Sequence, residues 1–334
     1  MYEATPTFSV VIPLYNTERY IADALDCVAN QTFPDFEVII VNDQSNDNGP
    51  AIAARFSAVD NRFRVVSQEN RGLAGARNTG IRESRGRYIA LLDADDLWDA
   101  EKLAKHFAHL EANPGVGVSY APSRMIDEDG RLLRATQWPR LDNVDAEHVF
   151  CRNPVGNGSA AVLRRAALDD IAFTMDAPEG KRVCWFDETF RQSEDIECWS
   201  RMAATTDWKF AGIPDPLTFY RIASGGLSAN TEKQFETWSR FRDKLETIAP
   251  DLVERAGKRA ESYQRRYLAR RAAVGGDGAK ALSLLWNALK LYPAIVAEEP
   301  RKTVMTGGLA LVAALLPTRQ FAQVRNIATQ HQSS

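Results

Sequence analysis

Four short apolar runs, the first three β-branched, each ending in polar, turn-forming residues and separated by stretches with helical periodicity, constrain this chain more than any other feature. Phe8 to Leu14 reads FSVVIPL. Phe36 to Val41 reads FEVIIV and runs into Asn42-Asp43-Gln44-Ser45-Asn46-Asp47. Phe63 to Val66 is followed by Glu69-Asn70-Arg71-Gly72, and Tyr88 to Leu92 by Asp93-Ala94-Asp95-Asp96. Between the first two runs Ile21, Leu25 and Val28 recur at the spacing of one helix face. Alternation of this kind predicts an α/β fold whose parallel sheet is wound by right-handed crossovers. The polar ends then share one rim, where open α/β sheets bind their ligands.

Three carboxylates directly after a buried strand need partners. Closely spaced Asp residues in such a crevice can hold a divalent cation against a diphosphate. Asp before a helix also accepts backbone N–H bonds as a cap, and the motif by itself leaves both readings open. Asp43 has the same two readings, as a ligand contact or as a cap on a helix opening near Asp47. Gly72, Ala74, Gly75, Ala76 and Gly80 surround Arg77 and Asn78, and such small residues let a helix approach the sheet or a ligand closely. Glu194-Asp195 opens a further helix whose Ile196, Trp199 and Met202 face inward. Acidic residues suit a helix start electrostatically, and a carboxylate is also a natural acceptor for a proton.

Taken together and in order, VIPLYN at Val11 to Asn16, VNDQSND at Val41 to Asp47, ENRGLAGARNTG at Glu69 to Gly80, DADD at Asp93 to Asp96 and SEDIECW at Ser193 to Trp199 resemble the inverting family 2 glycosyltransferases of GT-A fold. The likeness covers roughly residues 7 to 225. It implies that Asp43 accepts a hydrogen bond from the nucleobase in a pocket lined by Pro13, and that Arg77, with Arg71 as a second candidate, contacts the nucleotide. Asp93 would reach the ribose or a metal-bound water, and Asp95 would ligate the cation. Asp195 would be the catalytic base, with Glu194 orienting the acceptor. The run Phe186-Asp187-Glu188 and the pair Arg164-Arg165 also match the family's pattern. Many relatives carry a His after a late Tyr-Arg pair. Here Tyr220-Arg221 is followed by Ile222-Ala223-Ser224-Gly225, so either the cation relies on Asp95, diphosphate and water, or Arg221 is offered to the phosphates instead. The stretch Thr174 to Cys184 is longer than the usual connection. His106 and His109, on a predicted helix, are expected to face solvent.

With 45% hydrophobic and 25% charged residues, the 334-residue chain has the composition of a soluble globular protein with room for a large domain and an appendage. Cys27, Cys151, Cys184 and Cys198 form no C-x-x-C pair and read as reduced thiols, which suits a cytoplasmic protein. No signal-peptide character is seen at the N-terminus, and the longest apolar stretch, Gly307 to Leu316, is too short to span a bilayer. From Glu232 onward 17 Lys and Arg face 10 Asp and Glu, which leaves a net of −10 for residues 1–231. A GT-A catalytic domain over 1–230 and a helical region over 231–334 are therefore expected. Phe235 to Ile248, Leu252 to Ala273, Ala279 to Leu291 and Val304 to Leu316 are its helices.

The expected activity is inverting transfer of a sugar from a nucleotide sugar, a UDP-sugar by preference, to a hydroxyl of a glycan or lipid-linked acceptor, with Mn or Mg as cofactor. No nucleic-acid partner is expected. The run Arg255, Lys258, Arg259, Arg265, Arg266, Arg270 and Arg271, with the apolar 309–316 stretch, suggests either a solvated helix beside a core helix or peripheral contact with the inner face of an anionic membrane. Two alternatives belong to other classes. A sugar nucleotidyltransferase needs a basic Gly-rich loop after the first strand, where this chain has PLYNTERY, and a noncatalytic nucleotide-sugar-binding protein would have lost the acidic motifs that are present here.

Overall fold

The computed structural model describes residues 5–178, 180–222 and 231–316. They fall into two compact units, 5–145 with 153–222, and 146–152 with 231–316. The domain edge expected near Asn230 lies in 223–230, outside the described residues.

In the first unit β1 (Phe8–Leu14), β2 (Phe36–Asn42), β3 (Phe63–Ser67) and β4 (Tyr88–Leu91) are parallel, with α1 (Ile21–Ala29), α2 (Gly49–Val59) and α3 (Gly72–Glu83) in the crossovers. Every residue of β1 and β4 is buried, as strands covered on both faces require. α3 lies close to β1 because Gly80 has no side chain; a Cβ there would overlap Val11 Cγ1.

β5 (Leu97–Trp98), α4 (Lys102–Ala112), β6 (Val116–Tyr120), β7 (Ser123–Ile126) and β8 (Leu132–Gln137) follow. After α5 (Ala146–Cys151), which belongs to the second unit, come a 3-10 turn over Gly158–Ala160, β9 (Val162–Arg164) and α6 (Arg165–Asp169). β10 (Phe173–Ala177) and β11 (Gly180–Cys184) make the long stretch after β9 a hairpin, and α7 (Glu194–Thr205), β12 (Lys209–Gly212) and β13 (Thr218–Arg221) complete the unit.

The main sheet runs β12-β6-β9-β4-β1-β2-β3. β9 pairs antiparallel with both β4 and β6, while the remaining pairs of this mostly parallel sheet are parallel. A second sheet, β5-β13-β7-β8, carries Arg221 at the end of β13.

The second unit comprises α5, α8 (Thr231–Ile248), α9 (Pro250–Val274), α10 (Gly278–Leu291), α11 (Ile295–Glu298) and α12 (Pro300–Leu315). α9 stops at the glycines after Val274, and Asp277 caps α10 by accepting the Lys280 N–H at 3.0 Å. Ala272, Ala273, Ala281 and Ala310 pack α9, α10 and α12 through small side chains. Much of the basic run on α9 is neutralised within this unit: Arg255 pairs with Glu147, Arg259 with Glu298, Arg265 with Glu261 and Arg266 with Glu299. Among the described residues no helix is long and apolar enough to cross a membrane.

Candidate active site

The carboxyl ends of β1, β2 and β4 reach one rim, and the turns that leave them interlock. Asn16 donates its N–H to Ser45 Oγ, and its side-chain oxygen accepts the Asn46 N–H at 2.8 Å. Pro13, near the end of β1, is buried opposite Val41 of β2. Asp43 does not cap α2. Its carboxylate accepts the backbone N–H groups of Arg71 at 2.9 Å and Gly72 at 2.8 Å, and the Gln68 side-chain amide at 2.6 Å. It therefore closes the amino end of α3, where the helix dipole favours an anion. Arg71 lies beside it, bonded to Gln68 and Thr79 and 3.6 Å from Glu188.

Beyond β4 the acidic motif is built inward as well as outward. Asp96 is buried, accepting Ser159 Oγ at 2.5 Å and the Arg221 N–H at 2.8 Å. Burial, followed by repulsion from Asp95 and Asp93, holds its pKa well above the usual carboxylate range. Asp95 is partly exposed and bonds no side-chain donor among the described residues; burial and neighbouring Asp93 push its pKa up to about 6. Arg221 is tied to the motif from behind, its Nε on the Asp95 carbonyl at 2.7 Å and its Nη1 on the carbonyls of Asp127 and Glu128 at 3.0 Å. It steadies the backbone of the motif.

These features test whether a divalent cation fits. No ready-made cage of three His, Cys, Asp or Glu side chains exists among the described residues. What does exist is an all-oxygen donor set in which the Asp95 carboxylate, though near the Arg221 charge, is held by no side-chain donor among the described residues. This matches the open type of magnesium or manganese site, in which one or two carboxylates share the ion with substrate phosphates and water.

Arg77 joins this motif to the Glu194-Asp195 pair. It is 1% exposed, donates from Nη2 to Asp93 at 2.8 Å and from Nη1 to Glu194 at 2.7 Å, and lies over the Phe186 ring. Burial opposes its charge, but Asp93, Glu194 and Asp195 outweigh burial and raise its pKa above the usual arginine range. Glu194 is buried, and that burial, only partly offset by Arg77, lifts its pKa to about 7. Asp195, also raised mainly by burial, stays partly exposed and accepts the Asn153 amide at 3.0 Å and the Ile196 N–H at 2.8 Å. Ser193 enters α7 at φ 59, a left-handed conformation that is strained for a non-glycine residue and frequent at functional sites. Asn78, next to Arg77, holds the run before α7 by accepting the N–H groups of Trp185 and Phe186 and donating to the Phe186 carbonyl.

Sequence reasoning missed the segment from Asn153 to Ser159. Gly158 is required there, since a Cβ would overlap Arg77 Nη2 and lie 3.1 Å from Asp93 Oδ2. Ser159 Oγ accepts the Asp93 N–H at 3.0 Å while donating to Asp96. Nothing in local sequence marks these small polar residues, because their role depends on β9 lying beside β4.

The expectation that His106 and His109 face solvent is corrected. His106 is fully buried and His109 only partly exposed; both ring Nδ1 atoms lie 2.7 Å from Ser119 Oγ. Behind the site His106 also meets buried Lys102, whose ammonium reaches the Ala160 carbonyl at 3.1 Å. Burial lowers the Lys102 pKa to about 7. His106 stands three residues after Leu103 and four before Leu110, both buried, so its inward direction was legible from the apolar spacing. Arg164 and Arg165 are likewise structural, donating to the carbonyls of Val116 and Leu110 and of Gly86.

The family model for glycosyl transferase family 2 matches residues 9–172. The amylovoran biosynthesis glycosyltransferase AmsB of Erwinia amylovora is 32% identical over 65% of this chain and 70% of its own. A higher identity, 49%, is shared with the putative glycosyltransferase EpsH of Bacillus subtilis, but over 28% of this chain, which spans only 27% of that relative. S. aureus TarS, solved with UDP, superposes with a TM-score of 0.57 at 18% identity, over 97% of this chain and 91% of that one. The mannosyltransferase PcManGT of Pyrobaculum calidifontis, solved with GDP-Man and Mn2+, gives 0.57 at 20% identity, over 98% and 87%. At these identities the two structures speak for the fold.

Proposed function

The chain belongs to glycosyl transferase family 2, and on that premise we propose that it inverts the anomeric centre of a nucleotide sugar, a UDP-sugar, in transferring it to a hydroxyl of a glycan or lipid-linked acceptor. One observation carries the reading. A single buried guanidinium, Arg77, is bonded both to Asp93 of the motif after β4 and to Glu194 at the start of α7. It fixes the nucleotide side of the site relative to the partly exposed Asp195 carboxylate.

Each residue then has a task suited to its surroundings. Asp43, Arg71 and Pro13 line the base pocket, Asp43 keeping lone-pair capacity beyond the donors it already holds. Asp93, steadied by Arg77, faces the ribose side. Asp195 accepts the proton of the attacking hydroxyl, and Glu194 orients that hydroxyl. Arg221 holds the DADD backbone, with phosphate contact as a further part of the proposal. A divalent cation, manganese or magnesium, held by Asp95 and phosphate oxygens, would supply Lewis-acid neutralisation of the departing diphosphate. No general acid is then needed, which agrees with a single partly exposed carboxylate, Asp195, at the start of α7.

Support for a nucleotide-sugar donor comes from TarS, solved with UDP and with UDP-GlcNAc, and from PcManGT, solved with GDP-Man, and for the process from AmsB, named for amylovoran biosynthesis; uridine as the base is part of the proposal. Cytoplasmic placement and peripheral contact with the inner membrane face belong to the same proposal. Exposed Val304, Met305, Leu311 and Leu315 of α12 would serve as the contact surface. The test of the reading is Asp195→Asn, which keeps the shape and removes the acceptor for the proton. UDP release from UDP-GlcNAc with Mn2+ is expected to fall about 100-fold to 10,000-fold, with UDP affinity unchanged; a near wild-type rate sinks the assignment.

A further inference from the structure

The conformation of Asn153 is fixed by groups that leave no choice about which end of its amide faces the site. Its Oδ1 accepts two backbone N–H groups, those of Val155 and Gly156, each at 3.1 Å. Backbone N–H groups only donate, so the oxygen must face them and the NH2 must face away. That NH2 meets Asp195 Oδ2 at 3.0 Å. The turn itself is secured by Gly156, at φ 90, where a Cβ would collide with the Gln137 amide.

The turn alone does not explain asparagine. An aspartate would accept the same two N–H groups equally well, since Asp and Asn close such turns in the same way. What an aspartate lacks is the donor aimed at Asp195. Asn153 is the one side chain bonded to that carboxylate among the described residues; the other oxygen is held by the Ile196 N–H. The charged groups acting on Asp195 are Arg77 of α3, Asp93 after β4 and its own neighbour Glu194, and the Cys198 thiol lies one turn along α7. Burial and Asp93 disfavour the carboxylate, whereas Arg77, the Ile196 N–H and Asn153 favour it.

We propose that Asn153 is a positioning residue for proton abstraction: it orients the Asp195 carboxylate through its NH2 and holds it ready to accept the acceptor's proton. The inference rests on the reading of Asp195 as the base. Of the groups that favour the carboxylate, Asn153 alone is an uncharged side chain, so its replacement tests orientation and protonation without removing the Arg77 bridge.

Asn153→Asp is the decisive variant because it retains the turn acceptor and places a carboxylate oxygen where the NH2 stood. The low-pH limb of kcat, measured as UDP release from UDP-GlcNAc with Mn2+, is expected to move up by about one pH unit or more, as for two carboxylates sharing a site. The rate at pH 7 should fall about 10-fold or more, with melting temperature and UDP affinity close to wild type. The same shift should appear in a 13C carboxyl titration of Asp195, assigned by its disappearance in Asp195→Asn, which needs no turnover. Asn153→Ser, which can close the turn but not reach Asp195, should lose rate with a smaller limb shift. An unmoved limb and titration in Asn153→Asp would overturn the inference, and so would a uniform loss at all pH values, the mark of a purely structural residue. If Asp195→Asn itself still releases UDP at the wild-type rate, the underlying reading fails first, and this separates the two.

Discussion

Replacing Arg77 by Met keeps the length of the side chain and removes its charge from the centre of the first unit. Arg77 is 1% exposed and bonded at 2.8 Å to Asp93 and 2.7 Å to Glu194. Breaking a buried pair by deleting one partner costs about 3–5 kcal/mol, because the remaining charge is left uncompensated. Here that charge is chiefly Glu194, 5% exposed. Its pKa already rises from 4.5 to about 7 with Arg77 in place, so losing Arg77 raises it further. A carboxyl whose folded pKa is raised binds its proton more tightly in the folded state. Relative to wild type, the added penalty is therefore absent below the wild-type value of about 7, grows above it and is complete only above the variant's higher value. Each additional unit of pKa costs about 1.4 kcal/mol at high pH. The loss relative to wild type should thus be larger at pH 8 than at pH 5. Urea unfolding followed by tryptophan fluorescence at pH 5, 6.5 and 8 gives the comparison. At pH 8, one unit above the wild-type value, the loss through Glu194 should be about 1.4 kcal/mol and head toward the roughly 3–5 kcal/mol of a broken buried pair only at higher pH; a loss of equal size at pH 5 and 8 would refute the reasoning.

Asp95→Ala should weaken UDP binding in Mn2+ about 10-fold or more, roughly the 1.4 kcal/mol of one good ligand contact, and calorimetry in EDTA should find variant and wild type alike. Gly158→Ala puts a methyl into the space of Arg77 Nη2, so overpacking should cost about 1–3 kcal/mol of stability, read in a melting curve, and should lower UDP release together with it. Lys102→Met removes a buried ammonium whose pKa is lowered from 10.5 to about 7. Because the penalty for its charge begins below 10.5 and is full below about 7, the variant should be more stable by about 1–4 kcal/mol at pH 7, and the gain should vanish as melting is followed toward pH 10.5.

The strands that carry the site were legible because they are short and β-branched, with β1 and most of β2 buried on both faces: β1 spans the predicted Phe8–Leu14, and β2 and the more exposed β3 run one residue beyond the predicted ends. The helix breaks at Gly275 to Gly278 were equally plain, since α9 ends at Val274 and α10 begins at Gly278. The direction of β9 was not, because three residues, Val162–Arg164, contain nothing that sets parallel against antiparallel pairing. Everything that depends on that direction was hidden with it, including Gly158 over Arg77 and Ser159 between Asp93 and Asp96. The acidic motifs were visible as strings, but which carboxylate is tied down was not. That Asp96 turns inward to Ser159 while Asp95 stays partly exposed follows from contacts made across the sheet. His106 shows the opposite case, a residue three after Leu103 and four before Leu110, on the apolar side of α4, whose inward direction was outweighed by its polar character.

The reversed course of β9 decides where this enzyme can be remodelled. Around the rest of the rim, strands deliver residues to the site as they leave the sheet, but β9 delivers them as the chain arrives, from Asn153 to Ala161. Its outgoing side, Arg165 and beyond, emerges at the other end of the strand, next to Arg87 and Tyr88. Substitutions aimed at altered acceptor choice should therefore be tried ahead of Val162 at positions other than Asn153, Gly158 and Ser159, and a peptide tag or fluorophore should be carried beyond the buried Ala167 and Leu168, near exposed Asp169. The two ends of one three-residue strand are in this sense separate territories for engineering, the arriving end set against the DADD motif and the departing end set against Arg87.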